Sequence, residues 1–381
     1  MKQPLRVLHI ISGDLWAGAE VQAFTLMSHL AKMADTEVAV VLMNDGMLAQ
    51  KLREIDISMW ITDENTASFL RIFIRLCGVL RSWRPDLIHT HREKENILGS
   101  LAGSSCRNVP SVRTVHGRGE HDDAAGWRGT RHGLVTGVDR WCGRTLQQRV
   151  IAVSGELGQQ LAREFPPEKV VVIENGVDIE AAKATEGVAD FRRAEPRCVH
   201  VGIVGRLVNV KRVDLFIGMA ALLQRGEPQS NWRFHVFGDG PLRSQLERLA
   251  ENAALSDTIR FHGHREDIAT CIAGLDALVI CSDHEGLPMA ALEAAVLEVP
   301  TVAHAVGGLV DVVPGAFLVT QHDAQGYRDG ILRALRQDAR AIARNHALER
   351  LQRFSAARNA ERVRTLYEQV VAEWRAAGHK G

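Results

Sequence analysis

Short runs rich in Val and Ile recur along the chain, separated by longer stretches whose apolar residues fall at helical spacing. That alternation narrows the fold more than any other feature, because a strand buried on both faces reads as a continuous apolar run. Parallel strands joined by covering helices are the arrangement that buries both faces. The runs predict strands at 6–11, 37–42, 57–61, 86–90, 110–115, 149–153 and 169–173, and again at 198–204, 232–237, 258–262, 276–281, 300–303 and 316–319. Between the two sets, residues 179–197 are polar and rich in Ala and Glu, with no strand period, and are expected to link two domains. The chain has 381 residues, enough for two full cores at roughly 100 to 200 residues each. The expected class is therefore α/β, with doubly wound domains at 1–178 and 198–357. From Asp323 onward only helices are expected, and Val363, Leu366, Val370 and Val371 give the last of them an apolar face.

Composition excludes several functions. Lys plus Arg and Asp plus Glu each total 46, so no net field gathers nucleic acid, and any anion site must be local. The six cysteines, Cys77, Cys106, Cys142, Cys198, Cys271 and Cys281, lack CxxC spacing. They read as free core residues in a reducing compartment, neither a zinc cage nor a disulfide framework. The apolar run 7–11 is too short for a signal peptide, and no stretch reaches the ~20 apolar residues of a membrane span. A cytoplasmic protein is expected, touching the inner face of a membrane at most. The stretch suited to that peripheral contact is 68–84, where Arg71, Arg75, Arg81 and Arg84 sit among Phe69, Leu70, Ile72, Phe73, Ile74, Leu76 and Leu80. The commoner use of such a helix is to cover a sheet with its arginines in water.

Three junctions between strand and helix carry residues suited to anions and hydroxyls. In CSDHEGLPMAALE (281–293), Pro288 suits the first helical position and Gly286 permits close backbone approach. The amides of Leu287, Met289 and Ala290 would then face outward, at the positive end of a helix where a diphosphate binds. Glu285 and Glu293 bracket that site; a carboxylate accepting from a vicinal diol holds ribose in dinucleotide folds, so one suits ribose and the other a sugar. Alternatively they are two solvated glutamates at a helix start. In VGIVGRLVNVKR (201–212), Gly205 makes the turn, and Arg206 and Lys211 are the cations expected to neutralise a diphosphate leaving group. Two surface cations on a loop would look the same. In GDLWAGAE (13–20), glycines follow the first strand without the GxGxxG of a nicotinamide or flavin site. Gly238-Asp239-Gly240-Pro241 and Gly307-Gly308 repeat this placement after later strands.

Taken together, these motifs resemble the retaining glycosyltransferases of family 4 (glycosyl transferases group 1), which have the GT-B fold. Glu285 and Glu293 fit that family's E-x7-E, Gly205-Arg206 with Lys211 its G-R-x4-K, residues 238–241 its GDGP turn, and Asn175-Gly176-Val177-Asp178 its NGVD. The resemblance spans nearly the whole chain. It implies two Rossmann-like domains facing across a cleft, the N-terminal one for the acceptor and the C-terminal one for the donor, with a last helix from about residue 358 packed back on the first domain. It also implies that Arg206 and Lys211 bind the diphosphate of a UDP- or GDP-sugar, Glu293 the ribose, and Glu285 the transferred sugar. His116, in Thr-Val-His-Gly, would be the active-site histidine. The implied catalytic set is thus His116, Glu285, Arg206 and Lys211, and the implied nucleotide-sugar set Gly18, Gly205, Arg206, Lys211, Glu285, Gly286, Leu287, Met289 and Glu293. Where the family usually has Gly-Gly before Ala-Glu, this chain has Ala17-Gly18, which leaves Gly18 with the role.

The implied reaction moves the sugar to a hydroxyl of a glycan or lipid-linked acceptor with retention, in bacterial cell-surface polysaccharide or glycolipid synthesis. Same-face attack, in which the departing phosphate oxygen takes the acceptor's proton, needs neither cofactor nor metal. His89 and His91 form an HxH pair that, with His116, could ligate a metal, but no acidic cluster accompanies it and Asp239 belongs to a turn. These two histidines are expected to line the acceptor side instead. An epimerase or phosphorylase on the same fold, or a two-domain ligand-binding protein, are the alternative readings.

Overall fold

The strands form where the apolar runs lie. The computed structural model describes residues 3–13, 16–117, 127–184, 187–227 and 229–378. Asp14 and Leu15 of the first glycine segment, and residues 185–186 of the expected linker, lie outside them. One sheet contains β1 (Leu5–Ile11), β2 (Thr36–Leu42), β3 (Ser58–Ile61), β4 (Leu87–Thr90), β5 (Ser111–Val115), β6 (Arg149–Ala152) and β7 (Val170–Val172), in the order β3-β2-β1-β4-β5-β6-β7. The other contains β8 (Val199–Val204), β9 (Trp232–Phe237), β10 (Ile259–Gly263), β11 (Ala277–Ile280), β12 (Thr301–His304) and β13 (Leu318–Val319), in the order β10-β9-β8-β11-β12-β13. Neighbouring strands run parallel throughout. Strand order reverses between β1 and β4 in the first sheet and between β8 and β11 in the second. In open parallel sheets the loops leaving such a reversal diverge and open a crevice for ligands.

The chain divides into two compact units, residues 1–176 with 356–381, and residues 177–355. The described residues of the expected linker 179–197 are part of the second unit. Helices Ile179–Lys183 and Asp190–Ala194 fold into the second unit, and Asp178 of the NGVD segment caps the first of them by accepting from the Ala181 amide at 3.0 Å. Phe191 anchors the second helix, its ring 4.1 Å from that of His235 on β9. In the first unit, helix Ala356–Ala376 buries Ala360, Val363, Leu366, Tyr367, Val370 and Val371 in the core around Val7, Val38 and Val40.

The opposite face of the first sheet is covered by helix Phe69–Trp83, which buries Ile72, Leu76, Cys77, Val79 and Leu80. Here one expectation is corrected, because Cys77 and Cys106 form a disulfide. The segment Gly103–Arg107 packs on that helix and brings the two Cα atoms to 5.8 Å, within bridging range, although 29 residues separate them. Cys142, Cys198, Cys271 and Cys281 are free thiols. Among the described residues, no helix is long and apolar enough to cross a membrane.

Candidate functional site

In the second unit, the loops leaving β8 and β11 at the strand reversal are tied to each other. β8 ends at Val204 and the chain turns at Gly205. Gly238, at φ +126°, lies so close that a Cβ there would sit 2.0 Å from the Gly205 carbonyl oxygen, so the turn tolerates only glycine. The next residues wind into a single turn, Asn209–Lys211, which delivers the Lys211 Nζ to Glu285 Oε1 at 2.6 Å. Ser282 Oγ donates to the same oxygen at 2.5 Å. Asp283 completes the tie: its amide donates to the Val210 carbonyl at 2.9 Å, and its Oδ1 meets Arg212 Nη1 at 3.2 Å and His322 Nε2 at 2.9 Å.

Helix Met289–Val296 begins one residue later than the sequence suggested. Pro288 is its N-cap, at φ −70° and ψ 133°, and its carbonyl accepts from the Ala291 amide at 3.1 Å. The amides of Met289 and Ala290 are left without an intrahelical acceptor. The side chains of Leu287 and Met289 are buried, so these residues can meet a ligand only through the backbone. Gly307 supports the loop from behind: its φ is +58°, and a Cβ there would come within 1.9 Å of the Glu285 carbonyl oxygen. The Gly308 amide donates to the Gly286 carbonyl at 2.6 Å. One turn into the helix, Glu293 is partly buried, with no side-chain partner among the described residues, and burial pushes its carboxyl up to about 7. Gly205, Arg206, Leu207, Lys211, Cys281 and Ser282 line a small pocket at this junction. Gly205, Arg206, Lys211, Glu285 and the helix start are thus brought together. Cations, backbone donors and carboxylates at one loop junction suit a phosphorylated polyol. Asp239 takes no part: it accepts from the Gly240 amide at 2.8 Å and from Arg243 at 3.0 Å, holding the GDGP turn.

In the first unit, Gly18 opens helix Gly18–Ala31, with Ala17 as its N-cap, and a Cβ on Gly18 would meet nothing within 4 Å. Glu20 accepts from the Ala17 amide and pairs with Arg92 beyond β4. His91, the neighbour of Arg92, is hydrogen-bonded through Nδ1 to His116 Nε2 at 3.2 Å, so residues 91–92 connect the Gly18 turn to His116. His89 does not face an acceptor. It is fully buried, its Nδ1 against the Tyr367 hydroxyl at 2.5 Å and its Nε2 against Thr114 Oγ1 at 2.8 Å, and His91 is only 3% exposed. The expectation that these two line the acceptor side is therefore corrected: His89 lies in mid-sheet, where alternating side chains point into covered faces, and His91, just past the end of β4, is packed between His9 and His116.

His9 escaped the sequence reading altogether, because it lies inside the apolar run of β1. It is fully buried, pairs in register with His89, and its Nδ1 lies 3.1 Å from His91 Nε2. Ring nitrogens of His9, His89 and His91 fall within 4.8 Å of one another, a set that could hold a metal ion and does not include His116. The rings of His89 and His91 are stacked, however, with centroids 4.3 Å apart, and the nitrogens of His89 are engaged by hydroxyls, so the lone pairs do not converge. Burial holds His9 and His116 down at about 3, the Arg92 guanidinium adding to the effect at His116, and holds His89 and His91 well below the usual imidazole range. These rings are neutral near pH 7.

Residues 16–181 match the family described as Glycosyltransferase Family 4, and residues 198–337 match Glycosyl transferases group 1. A D-inositol 3-phosphate glycosyltransferase of Saccharomonospora viridis is 30% identical over 321 residues, covering 76% of this chain and 71% of that protein. The chain belongs to the family 4 glycosyltransferases. A 2-deoxystreptamine N-acetyl-D-glucosaminyltransferase of Streptomyces fradiae is 30% identical over 260 residues, 65% of this chain, so the match spans about three-fifths (61%) of that relative. Among solved structures, HepE of Anabaena in complex with UDP-glucose has a TM-score of 0.78 at 20% identity, covering 98% of this chain and 100% of HepE. The family 4 chain thus shares the GT-B fold, with one Rossmann-like sheet in each unit.

Proposed function

We propose that this protein transfers a sugar from a nucleoside diphosphate sugar to an acceptor hydroxyl with retention of configuration. The observation that carries the reading is the Lys211–Glu285 pair, 2.6 Å apart beside Arg206 and the first amides of helix Met289–Val296. Cation and carboxylate neutralise each other until a donor arrives. The diphosphate then draws Lys211 and Arg206, and Glu285 is released to accept hydroxyls of the transferred sugar, while Glu293 accepts from the ribose. As the bond from the anomeric carbon to phosphate oxygen breaks, the two cations and the helix amides neutralise the growing charge. The acceptor oxygen bonds to the same face of that carbon, and its proton passes to the departing phosphate oxygen. In this reading His116 and Gly18, both of the first unit, keep the roles the family resemblance implies, the histidine toward the sugar and the glycine toward the acceptor. With positive charge supplied by Lys211, Arg206 and the helix, the transfer runs without a metal. HepE was solved with UDP-glucose, which supports a uridine donor here. The test is turnover of a panel of UDP- and GDP-sugars with glycan acceptors, followed by the anomeric coupling constant of the product. Inversion, or interconversion of donors without any acceptor, would favour an inverting enzyme or an epimerase.

One further observation favours a lipid-linked acceptor and synthesis of cell-surface glycans. On helix Phe69–Trp83, Phe69, Leu70 and Ile74 are 47%, 66% and 61% exposed, among Arg71, Arg75 and Arg81 and with no acidic residue on the helix. Apolar side chains ringed by arginines fit an anionic membrane surface. Flotation with phosphatidylglycerol vesicles, lost in a variant with Ser at 69, 70 and 74, is the expected result; no flotation of the wild type would remove the lipid-linked reading.

A further inference from the structure

His9, His91 and His116 form a hydrogen-bonded series across the first sheet, from mid-strand in β1 past the end of β4 to the residue that follows β5. His9 Nδ1 lies 3.1 Å from His91 Nε2, and His91 Nδ1 lies 3.2 Å from His116 Nε2. The linked rings are nearly coplanar, inclined by 18° and 19° at centroid distances of 5.4 and 5.5 Å, so each bond joins ring edge to ring edge. The terminal nitrogens, His9 Nε2 and His116 Nδ1, are shielded and have no partner among the described residues.

A neutral imidazole carries one N–H, so three rings joined by two hydrogen bonds have only two arrangements. If His91 donates through Nδ1, His116 must accept at Nε2 and carry its proton on Nδ1, while His9 donates to His91 and is left with a bare Nε2. If His91 donates through Nε2, every bond reverses: His9 carries its proton on Nε2, and His116 is left with a bare Nδ1. Each arrangement leaves one terminal N–H without a partner. They differ in where it lies. At His9, fully buried in mid-sheet, no acceptor can ever reach it, and an orphaned buried N–H is among the rarest defects of folded proteins. His116 lies beyond the strand end and is partly exposed as a residue, so its shielded Nδ1 is near the surface, where a local side-chain shift brings it to a ligand oxygen. A similar series in the second unit, His200–His235–His262, ends instead on the Glu195 carbonyl, 2.9 Å from His200 Nε2, which sets its direction from within the protein.

We propose that His9 and His91 are positioning residues that fix the tautomer of His116, so that its Nδ1 presents an N–H to an oxygen of the bound substrate. This deepens the reading of the chain as a glycosyltransferase and rests on it for the identity of the ligand. The proton stays on nitrogen throughout; what the series supplies is one defined donor. Burial and the nearby Arg92 keep the rings neutral, as the counting requires.

The test is the long-range proton–nitrogen spectrum of the full chain labelled with ¹⁵N-histidine, without ligand. His116 should show a protonated Nδ1 and a bare Nε2, and His91→Leu should turn it into a mixture of tautomers. His91→Gln should restore the single form, since one amide can accept from His9 and donate to His116. Loss of a partner that fixes a functional imidazole costs roughly 10- to 100-fold, so His91→Leu should lower kcat by about that factor at little change in KM, and His91→Gln should recover most of it. A wild-type His116 protonated on Nε2 overturns the proposal even if His91→Leu fails to fold. So does a tautomer indifferent to residue 91, or one stoichiometric zinc ion whose removal alters the His9 and His91 signals. The expected tautomer in a protein that turns over no sugar nucleotide would leave the hydrogen-bond series standing and remove the transferase reading alone.

Discussion

Replacing Lys211 by Ala separates the two roles its ammonium can have. Its Nζ pairs with Glu285 at 2.6 Å, the two side chains being 24% and 9% exposed. Exposed pairs contribute about 0 to 1 kcal/mol and stranding the partner of a buried one costs about 3 to 5, so this intermediate pair should cost roughly 1 to 2 kcal/mol of stability. Ser282 Oγ still donates to Glu285, which keeps the cost near the lower end. In the reaction, loss of a charge-assisted contact to the leaving group should cost about 2 to 4 kcal/mol, or roughly 30- to 1,000-fold in kcat/KM. The assay is release of nucleoside diphosphate under kcat/KM conditions by wild type, Lys211→Ala, Glu285→Gln and the double variant, each checked for fold by circular dichroism. If Lys211 only holds Glu285 in place, its removal will have no further effect once Glu285 is Gln. If it neutralises the leaving group, most of the loss will persist in the Glu285→Gln background. A folded Lys211→Ala variant keeping more than about a third of wild-type kcat/KM, a loss under ~0.7 kcal/mol, would refute the reasoning.

Burial raises Glu293 to about 7, so the carboxylate proposed to hold the ribose forms as pH rises; donor affinity should increase from pH 6 to 8 in wild type and stay flat in Glu293→Gln, measured by calorimetric titration. The same raised value means that this residue's contribution to stability is present below its ordinary value of 4.5 and is lost as pH rises through 7. His9 has the opposite sign: held at about 3 against an ordinary 6.5, its contribution is present above 6.5 and lost as pH falls, at about 1.4 kcal/mol per pH unit. His89, His91, His116, His200, His235 and His262 are lowered too, and they outnumber the raised glutamates Glu95 and Glu293, so the melting temperature should fall between pH 6.5 and 4.5; a flat profile would contradict their burial as neutral rings. Ending the chain at Ser355 removes Val363, Leu366, Tyr367, Val370 and Val371 from the first core, and at about 1.5 to 3 kcal/mol per side chain this approaches or exceeds a typical net stability of 5 to 15 kcal/mol. The truncated chain should be insoluble or partly unfolded by circular dichroism, and a soluble, fully folded product would contradict that packing. Turnover should be unchanged by EDTA; a rate that stops on chelation and returns with Mn²⁺ would direct attention back to His9, His89 and His91.

Much of this architecture can be read from the residues because parallel strands covered on both faces leave no polar side to disguise them. Strands such as β2 (TEVAVVL) and β11 (ALVI) are consequently visible to within two residues. The strand-to-helix loops were legible for a related reason: Gly205, Gly238 and Gly307 stand where a Cβ would collide or the backbone needs positive φ, so their chemistry is local. What escaped depends on contacts distant in sequence. Nothing in the spacing of Cys77 and Cys106 shows that a helix and a following turn bring them together. The helices of 179–197 are held by Ala182, Ala189 and Phe191, too few apolar residues to register as a period. His9 was hidden by its own strand, a lone polar residue in the run VLHII, and acquires meaning only when β4 is placed beside β1 and His91 beyond its end. Ser282 and Asp283 lay in plain view in the SDHEG segment, yet their roles depend on the loop after β8 folding against them.

The junction of the β8 and β11 loops is proposed to hold the diphosphate of a sugar nucleotide. Calorimetric titration of UDP-glucose, and of a panel of other UDP- and GDP-sugars, into wild type, Lys211→Ala and Glu293→Gln tests it most directly. One site per chain is expected for at least one donor, with affinity reduced about tenfold or more in each variant, a loss of ~1.4 kcal/mol. Binding that survives unchanged in both variants, or no binding of any donor by folded wild type, would contradict it.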